Sequence, residues 1–267
     1  MKFRLIPAAL LSVVALTLAG CSASNGDSTP AADDSLSRVL DSGTLTIGTE
    51  GTYRPFSFHE DGSGKLTGYD VEVARAVAAE LGVDAVFEET QWDGIFAGLT
   101  AGRWDTIANQ VSMTPERLEA YEFSTPYTYS PGVIVVLADN TSITSFASLD
   151  GLTTAQSLSS NWDTLATESG ANVQHIEGWA QSVALVEQGR VDATVNDKLT
   201  FLEYQKTNDA DNLKIAAETE ERSESAFAFA KDGTALADAV SEALASLSND
   251  GTLAELSDEY FGADVSQ

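Results

Sequence analysis

The sequence predicts an α/β protein of two similar lobes, each a sheet covered by helices, with a cleft between them. Two observations lead to this fold class. Short apolar or alternating segments typical of strands take turns with amphipathic helical segments along most of the chain, and this order favours sheets with helices on both faces. In addition, the segment 102–109 (GRWDTIAN) is echoed by the segment 189–196 (GRVDATVN).

The elements follow from hydrophobic periodicity. The predicted strands alternate or are apolar throughout, and cover 44–49, 85–88, 104–109, 132–137, 153–157, 173–176, 191–195 and 226–230. The predicted helices place apolar residues on one face, and cover 70–81, 92–101, 115–121, 161–168, 180–188, 197–206, 235–247 and 253–260. Asp70 is suited to cap the first of these helices, and Gly82 to end it.

The echoed segments each contain a helix-ending Gly, an Arg, a strand and an Asn at the strand's end. Such junctions can look alike by chance, or they can mark two lobes of the same construction. We interpret them as two lobes. Ligands of open α/β sheets bind beyond the carboxyl ends of the strands, so two lobes that face each other with those ends form a cleft suited to a small ligand.

The N-terminus has the layout of an export signal. Lys2 and Arg4 precede an apolar run over 5–19 that is too short to span a bilayer comfortably, and small residues lead to Cys21. We predict a signal peptide over 1–20, with an uncleaved signal anchor as the alternative. The polar segment 21–35 is predicted to be a flexible linker, because it has too few apolar residues to fold.

Composition excludes several classes of ligand. The chain has 14 Lys and Arg against 41 Asp and Glu, a net charge of −27, which argues against nucleic acid and anionic lipid as ligands. The two histidines, His59 and His175, lie far apart in the sequence and the acidic residues are scattered. We therefore expect neither a metal site nor another cofactor. Cys21 is the only cysteine, so it has no partner within the chain.

Polar residues of opposite charge follow the two repeated strands. Gln110, Ser112 and Arg117 come after the first strand, and Asp197 after the second. Arginine offers a planar fork of donors that suits a carboxylate, and aspartate accepts from an ammonium, so together they could hold the backbone of an amino acid. The alternatives are a surface helix residue for Arg117 and a helix N-cap for Asp197.

Aromatic residues lie near the same strand ends. Tyr53 follows the first strand and Trp92 the second. Either ring could stack on a ligand or face its cation, and either could instead belong to the core.

Four motifs make the resemblance to a known family specific. They are 51–56 (GTYRPF), 68–74 (GYDVEVA), 112–117 (SMTPER) and 123–127 (FSTPY). Together they resemble family 3 of the bacterial solute-binding proteins, which serve amino-acid ABC transporters. The resemblance runs from about residue 36 to the end of the chain. It implies the type II periplasmic-binding-protein fold, in which two crossing strands join lobe one (36–130 plus 227–267) to lobe two (131–226).

The resemblance also assigns roles to single residues. Arg117 corresponds to the residue that binds the ligand carboxylate, and Ser112 to its hydroxyl partner. The backbone carbonyl of Gln110 and the side chain of Asp197 correspond to acceptors of the ligand ammonium. Tyr53 corresponds to an aromatic lid.

Further roles concern the walls of the cleft. Trp92 corresponds to the ring that stacks on the ligand side chain. Ser160 and Asn161 lie on a loop at a helix start whose N–H groups reach the carboxylate. Many members of the family carry glycine at the position of Ser159.

Finer similarities favour cystine as the ligand. The segments 89–93 (ETQWD), 108–111 (ANQV), 155–161 (AQSLSSN) and 260–266 (YFGADVS) are similar to the cystine-binding branch of the family. Cystine has an amino-acid head at each end, and Glu50 is placed to meet the second head or, alternatively, to hold the loop of Tyr53. Histidine, glutamine or another polar amino acid remains an alternative ligand.

The resemblance further implies a location and partners. The ending Leu-Ala-Gly-Cys resembles the lipobox of bacterial lipoproteins, in which the thiol corresponding to Cys21 is acylated, with palmitate among the acyl chains. We expect a monomer anchored on the extracytoplasmic face of the membrane that serves an ABC permease and ATPase, with no catalytic residue. The alternatives are an enzyme similar to cyclohexadienyl dehydratases and a sensor module that presents its ligand to a receptor.

Overall fold

The computed structural model describes residues 33–267. The predicted signal peptide, Cys21 and the linker up to residue 32 lie outside the described residues. The end of the predicted linker, in contrast, is docked: Asp33 Oδ2 accepts a hydrogen bond of 2.6 Å from the N–H of Ala235, and Ser35 is buried. A helix begins just after Gly233, and the N–H groups of its first turn have no acceptor within the helix. Asp33 supplies an acceptor for one of them.

The described part of the chain forms twelve strands and nine α-helices. The strands are β1 (Thr44–Thr49), β2 (Thr52–Tyr53), β3 (Ser57–His59), β4 (Leu66–Thr67), β5 (Asp84–Glu89), β6 (Thr106–Ser112), β7 (Glu122–Phe123), β8 (Thr128–Leu137), β9 (Thr153–Ser157), β10 (Asn172–Ile176), β11 (Thr194–Asp197) and β12 (Leu213–Phe229). The helices are α1 (Ser35–Ser42), α2 (Tyr69–Glu80), α3 (Trp92–Thr100), α4 (Pro115–Ala120), α5 (Asn161–Glu168), α6 (Gly178–Glu187), α7 (Lys198–Asn208), α8 (Thr234–Asn249) and α9 (Thr252–Phe261).

The largest sheet has the strand order β11-β8-β12-β6-β1-β5, and a two-stranded sheet pairs β10 with β9. Strands β1, β5 and β6 are parallel and form one lobe, while β9, β10 and β11 occupy corresponding places in the other, where an isolated parallel bridge links Thr154 to Ala193. The long antiparallel pair β8 and β12 runs between the two groups. The fold is therefore two-lobed α/β, as the sequence predicts.

The echoed segments adopt the same local structure in both lobes. In the first, Asp105 Oδ2 accepts from the N–H of Thr46 at 2.9 Å, and the N–H of Asp105 donates to Thr46 O at 2.8 Å. In the second, Asp192 Oδ2 accepts from the N–H of Thr153 at 2.8 Å, and the N–H of Asp192 donates to Thr153 O at 2.8 Å. Each Asp thus fastens the third strand of a lobe to the first, which supports the interpretation of the repeat as two lobes of one construction.

Helices cover both faces of the sheet in the first lobe. Helices α1, α2, α8 and α9 enclose one core with β1, in which Tyr69, Phe227 and Phe229 are fully buried. Helix α3 covers the other face, where Trp92 and Trp104 pack in a second core. Burial of this apolar area is the main favourable contribution to folding.

The predicted elements are recovered along most of the chain, with several differences. Strand β12 has 17 residues, whereas the sequence suggested only 226–230, because its polar first part pairs with β8 along an exposed crossing that hydrophobicity does not reveal. The short strands β2, β3, β4 and β7 and the helix α1 were not predicted. Asp70 does not cap α2: the N-cap is Gly68, and Asp70 lies in the first turn.

The lobe boundaries inferred from the family fall inside the two crossing strands. The boundary 130/131 lies within β8, and the boundary 226/227 lies within β12. These limits stay predictions. None of the helices within residues 33–267 is long and apolar enough to cross a membrane.

Candidate functional site

A cleft with about 540 Å³ of empty space, the solvent at its opening included, forms a cavity between the two groups of strands. Six of the predicted site residues line it: Glu50, Tyr53, Trp92, Gln110, Ser160 and Asn161. The other lining residues are Thr52, Asn109, Gln156, Ser157, Trp162, Gly178, Trp179, Ser182 and Asn196. The cavity therefore lies beyond the carboxyl ends of β1 and β6 on one side and of β9 and β11 on the other, where ligands of α/β sheets bind.

Arg117 is buried beside this cavity, in the first turn of α4. Its Nη1 donates to Ser112 O at 3.0 Å, and its Nη2 donates to Ser159 O at 3.3 Å. No carboxylate lies within salt-bridge distance of it among residues 33–267. Burial lowers the pKa of Arg117 to about 10. The alternative of an exposed surface residue is wrong, since the side chain is enclosed between the lobes.

The guanidinium of Arg117 is bounded by aromatic rings rather than by acidic groups. Its Cζ atom lies 5.3 Å from the ring centroid of Trp92 and 5.2 Å from that of Phe96. Aromatic faces stabilise a cation without neutralising it. The charge is thus kept for an anionic group that reaches it, and burial makes such a pairing strong.

The loop that faces Arg117 belongs to the other lobe. Ser159 has φ +61°, the left-handed conformation that favours glycine. Ser160 is the N-cap of α5, and its Oγ accepts from the N–H of Asp163 at 3.0 Å. The predicted Ser160 and Asn161 therefore lie at a helix start that lines the cavity.

Asp197 is the N-cap of α7, which was the alternative to a direct ligand role. Its Oδ1 accepts from Ser130 Oγ at 2.7 Å and from the N–H of Leu199 at 2.8 Å. Burial raises the pKa of Asp197 to about 6, and the two hydrogen bonds partly oppose the rise. Asp197 is buried close behind the cavity and is not part of its lining.

Glu50 meets Asn109 rather than the loop of Tyr53. Asn109 Nδ2 donates to Glu50 Oε2 at 2.6 Å, and the N–H of Glu50 donates to Asn109 Oδ1 at 2.9 Å. Burial raises the pKa of Glu50 to about 7, and the nearby carboxylates of Glu177 and Asp93 add to the rise. A carboxylate in this position has no cation beside it among the described residues, so it is suited to receive one.

Tyr53 closes the cavity from the first lobe. Its Oη donates to Asn196 Oδ1 at 2.8 Å and accepts from Thr200 Oγ1 at 3.2 Å, so it reaches residues at the start of α7. Its ring packs on Phe56, with centroids 5.2 Å apart. Tyr53 is therefore part of the packing of one lobe and part of the contact with the other.

The comparison with protein families decides the identity. The model of the bacterial extracellular solute-binding proteins, family 3, matches residues 45–263. This chain belongs to that family. A curated relative, the L-cystine-binding protein TcyA of Bacillus subtilis, is 46% identical over 97% of this chain and 96% of its own length.

Two solved structures are similar to this family 3 protein to different extents. The L-cystine solute receptor of Neisseria gonorrhoeae, in its unliganded open conformation, is 45% identical, with a TM-score of 0.59 over 87% of this chain and 99% of its own. An ancestral arginine-binding protein bound to arginine is only 33% identical but has a TM-score of 0.77 over 82% of this chain and 99% of its own. By this measure the chain is more similar to the ligand-bound protein than to the open receptor.

Several cavity residues of the family 3 protein were missed in the sequence. Asn109 and Asn196 stand at the ends of the two echoed segments, but they were not assigned to the site from the sequence. Trp179, at the start of α6, gave no signal, because one aromatic residue after a loop resembles ordinary core. The structure makes Trp179 informative: it is buried, it lines the cavity, and its Nε1–H has no partner among residues 33–267.

Gln110 and Trp92 share that property. Gln110 Oε1 and Trp92 Nε1 are buried without a hydrogen-bond partner in the described part of the chain. Buried polar groups in proteins are nearly always paired, so the cavity presents donors and an acceptor suited to a polar ligand. Within residues 33–267, no group of His, Asp and Glu side chains is arranged to hold a metal ion.

Proposed function

We propose that this chain captures L-cystine outside the cytoplasm and delivers it to an ABC importer. The observation that carries the proposal is Arg117, a buried guanidinium between the lobes with no carboxylate partner among residues 33–267. Leaving a charge buried and unpaired is costly, whereas a bidentate carboxylate would satisfy it. An α-carboxylate is the group that fits.

The zwitterion of one cystine head is assigned to six residues. Arg117 and Ser112 would hold the carboxylate, together with the N–H groups of Ser160 and Asn161 at the start of α5. Asp197 and the backbone carbonyl of Gln110 would accept from the ammonium. Asp197 would reach the ligand through Oδ2, because its Oδ1 already accepts from two donors.

The second head of cystine is assigned to the far side of the cavity. Glu50 offers a carboxylate for the second ammonium, held in place by Asn109. Trp92 would face the disulfide, since polarizable sulfur makes favourable contacts with aromatic rings. The relative TcyA and the Neisseria receptor, both named for cystine, support this choice over histidine or glutamine.

The proposed lobes are 36–130 plus 227–267 for lobe one and 131–226 for lobe two. Their closure would trap the ligand between them. Arg117 bonds to Ser159 O, and Tyr53 bonds to Asn196, so both contacts join the proposed lobes. The higher TM-score with a ligand-bound protein supports the interpretation of this arrangement as the closed form. A ligand that contacts both lobes shifts the population toward that form.

We further propose that Cys21 carries the lipid anchor, with palmitate among its acyl chains, and that the monomer works on the extracytoplasmic face beside a permease and an ATPase. Two or more acyl chains hold a protein at a membrane durably. We propose a binding protein without catalytic activity, and incubation with prephenate or arogenate followed by a product assay tests the enzyme alternative. Mass spectrometry of the mature N-terminus tests the acylation.

Calorimetry with L-cystine tests the proposed function. Arg117→Ala is expected to abolish detectable binding, and Arg117→Lys to weaken it strongly, because a point charge cannot replace the planar fork. Both variants are to be checked for an unchanged thermal transition. Retained ligand, identified by mass spectrometry of the purified wild type without reducing agent, gives the second arm. An unchanged affinity of Arg117→Ala would contradict the assigned site, and retention of another amino acid would contradict only cystine.

A further inference from the structure

Asp70 is a fully buried carboxylate in the first turn of α2, and it has no salt-bridge partner in the part of the chain that the structure describes. A buried carboxylate of this kind is kept only where strong donors satisfy it. Both of its oxygens are bound to one residue. Asp70 Oδ2 accepts from the backbone N–H of Gln110 at 2.6 Å, and Oδ1 accepts from Gln110 Nε2 at 2.7 Å.

Gln110 has an unusual backbone. Its φ is +49°, in the left-handed region that side chains other than glycine seldom adopt. It also lies in the part of β6 where pairing with β12 changes register, opposite the stretch between Ala226 and Ala228. Irregular strand positions of this kind are frequent beside functional sites. The two bonds from Asp70 hold the backbone and the side chain of Gln110 together in this conformation.

The donors of Gln110 are thereby used within the protein, and its acceptors are left for a ligand. Its backbone N–H is used by Asp70, and its Nε2 donates to Asp70 and to Thr128 Oγ1, the latter at 3.1 Å. Its Oε1 is buried without a partner among the described residues, and the residue lines the cavity. What Gln110 has left for a ligand is therefore acceptors, and acceptors are what an ammonium requires.

We propose that Asp70 is a positioning residue for the ammonium site: it holds Gln110 in the left-handed conformation and directs the two N–H groups away from the ligand. This inference rests on the proposed function, in which an amino acid is bound beside Gln110. When it is ionised, Asp70 also polarises the side-chain amide of Gln110, so Gln110 Oε1 becomes a stronger acceptor. Asp70 acts on the ligand only through Gln110.

The test compares near-isosteric variants by calorimetry with L-cystine. Asp70→Asn keeps the shape but turns one acceptor into a donor that faces Gln110, and the affinity is expected to fall roughly tenfold to a hundredfold. Asp105→Asn is the matched control. It makes the same chemical change at another carboxylate of this lobe that accepts from a backbone N–H, and it is expected to leave the affinity for cystine unchanged.

Rescue separates positioning from a general loss of structure. Glycine adopts a positive φ without strain, so Gln110→Gly in the Asp70→Asn background is expected to restore part of the lost affinity. A second readout uses 3,3′-dithiodipropionate, which has both carboxylates and the disulfide of cystine but no ammonium. Asp70→Asn is expected to weaken the binding of cystine more than it weakens the binding of this analogue.

The outcomes are distinguishable. If wild type does not bind cystine, the proposed function fails. If wild type binds and Asp70→Asn binds equally well, or weakens both ligands equally, the role of Asp70 is refuted. If Asp70→Asn does not fold, the affinities of Gln110→Gly and Gln110→Ala for cystine are compared instead. Both variants lose the side-chain bond to Asp70, and only glycine adopts the left-handed conformation without strain. The glycine variant should then bind severalfold more tightly, and equal affinities would overturn the inference.

Discussion

Tyr53 Oη and Asn196 Oδ1 lie 2.8 Å apart, and this hydrogen bond joins β2 to β11. Asn196 occupies in the second echoed segment the place that Asn109 occupies in the first. One of these equivalent residues thus holds Tyr53, and the other holds Glu50. The repeated strand ends have been given different partners on the two sides of one cavity.

Tyr53→Phe is expected to weaken ligand binding without unfolding the protein. The variant keeps the packing of the ring but loses the bonds to Asn196 and Thr200, which exist only when the lobes are close together. A hydrogen bond of this kind contributes about 1 kcal/mol, so the dissociation constant should rise about fivefold. Calorimetry measures the affinity, and small-angle scattering of the ligand-free protein should show a more open average. If both the affinity and the scattering are unchanged, Tyr53 does not hold the lobes together.

Glu50→Gln is expected to discriminate between ligands with one head and ligands with two. Loss of the carboxylate removes the partner proposed for the second ammonium of cystine, while a ligand such as S-methylcysteine has no such group. The affinity for cystine should fall about tenfold or more, because hydrogen bonds to charged groups contribute about 1.5–3 kcal/mol. Competition calorimetry with both ligands gives the ratio. A parallel loss for both would place Glu50 outside the second head's site.

The ligand-free protein is expected to lose stability as the pH rises toward 7. Burial raises the pKa of Glu50 and of Asp70 to about 7 and that of Asp197 to about 6, so the folded state binds protons that the unfolded chain releases near pH 4. Stability from these groups is fully present below about pH 4 and is lost as the pH rises through their folded pKa values.

Urea unfolding at pH 5 and pH 8 measures this effect as the difference in free energy of unfolding. The free energy should be lower at pH 8, and Glu50→Gln should reduce the difference, because its amide does not titrate. If the free energy of unfolding is the same at pH 5 and pH 8, in wild type and variant alike, these carboxylates do not titrate as their burial requires.

Gly98→Ala in α3 is expected to destabilise the fold by about 1–3 kcal/mol, the usual effect of overpacking a core. A Cβ atom on Gly98 would collide with the ring of Trp104. Gly94→Ala in the same helix is the matched control, since its Cβ would lie 3.4 Å from Thr90 Oγ1, an ordinary contact. Alanine is the better helix former, so the control should be neutral or slightly stabilising. Thermal unfolding of both variants checks the contrast, and equal transitions would contradict it.

The sequence was most informative where local pattern and local structure coincide. Helix α5 was predicted with its observed limits, because a cap residue and an apolar periodicity define both of its ends within eight residues. The pairing of β12 with β8 was not visible. Residues 218–221 are mostly acidic and exposed. They belong to a strand because Glu218 pairs with Val133 and Arg222 with Pro131, more than 80 residues earlier in the chain.

For the candidate site, residue type and order along the chain indicated the charges but not their surroundings. Arg117 and Asp197 could be selected from chemistry, yet only the folded chain shows that Arg117 is buried against Trp92 and that Asp197 caps a helix. Trp179 and the bond between Asp70 and Gln110 were not selected, since their meaning depends on contacts between segments far apart in sequence.

The sequence by itself therefore determined the α/β class, the order of most elements, the repeat and the types of charge available to a ligand. These depend on periodicity, capping and composition, which act over a few residues. The tertiary structure alone decided which of those charges are buried without a partner, which residues are held in a left-handed conformation, and which side chains meet between the lobes. Burial and pairing are properties of the packed chain, because desolvation requires neighbours that the local sequence does not contain.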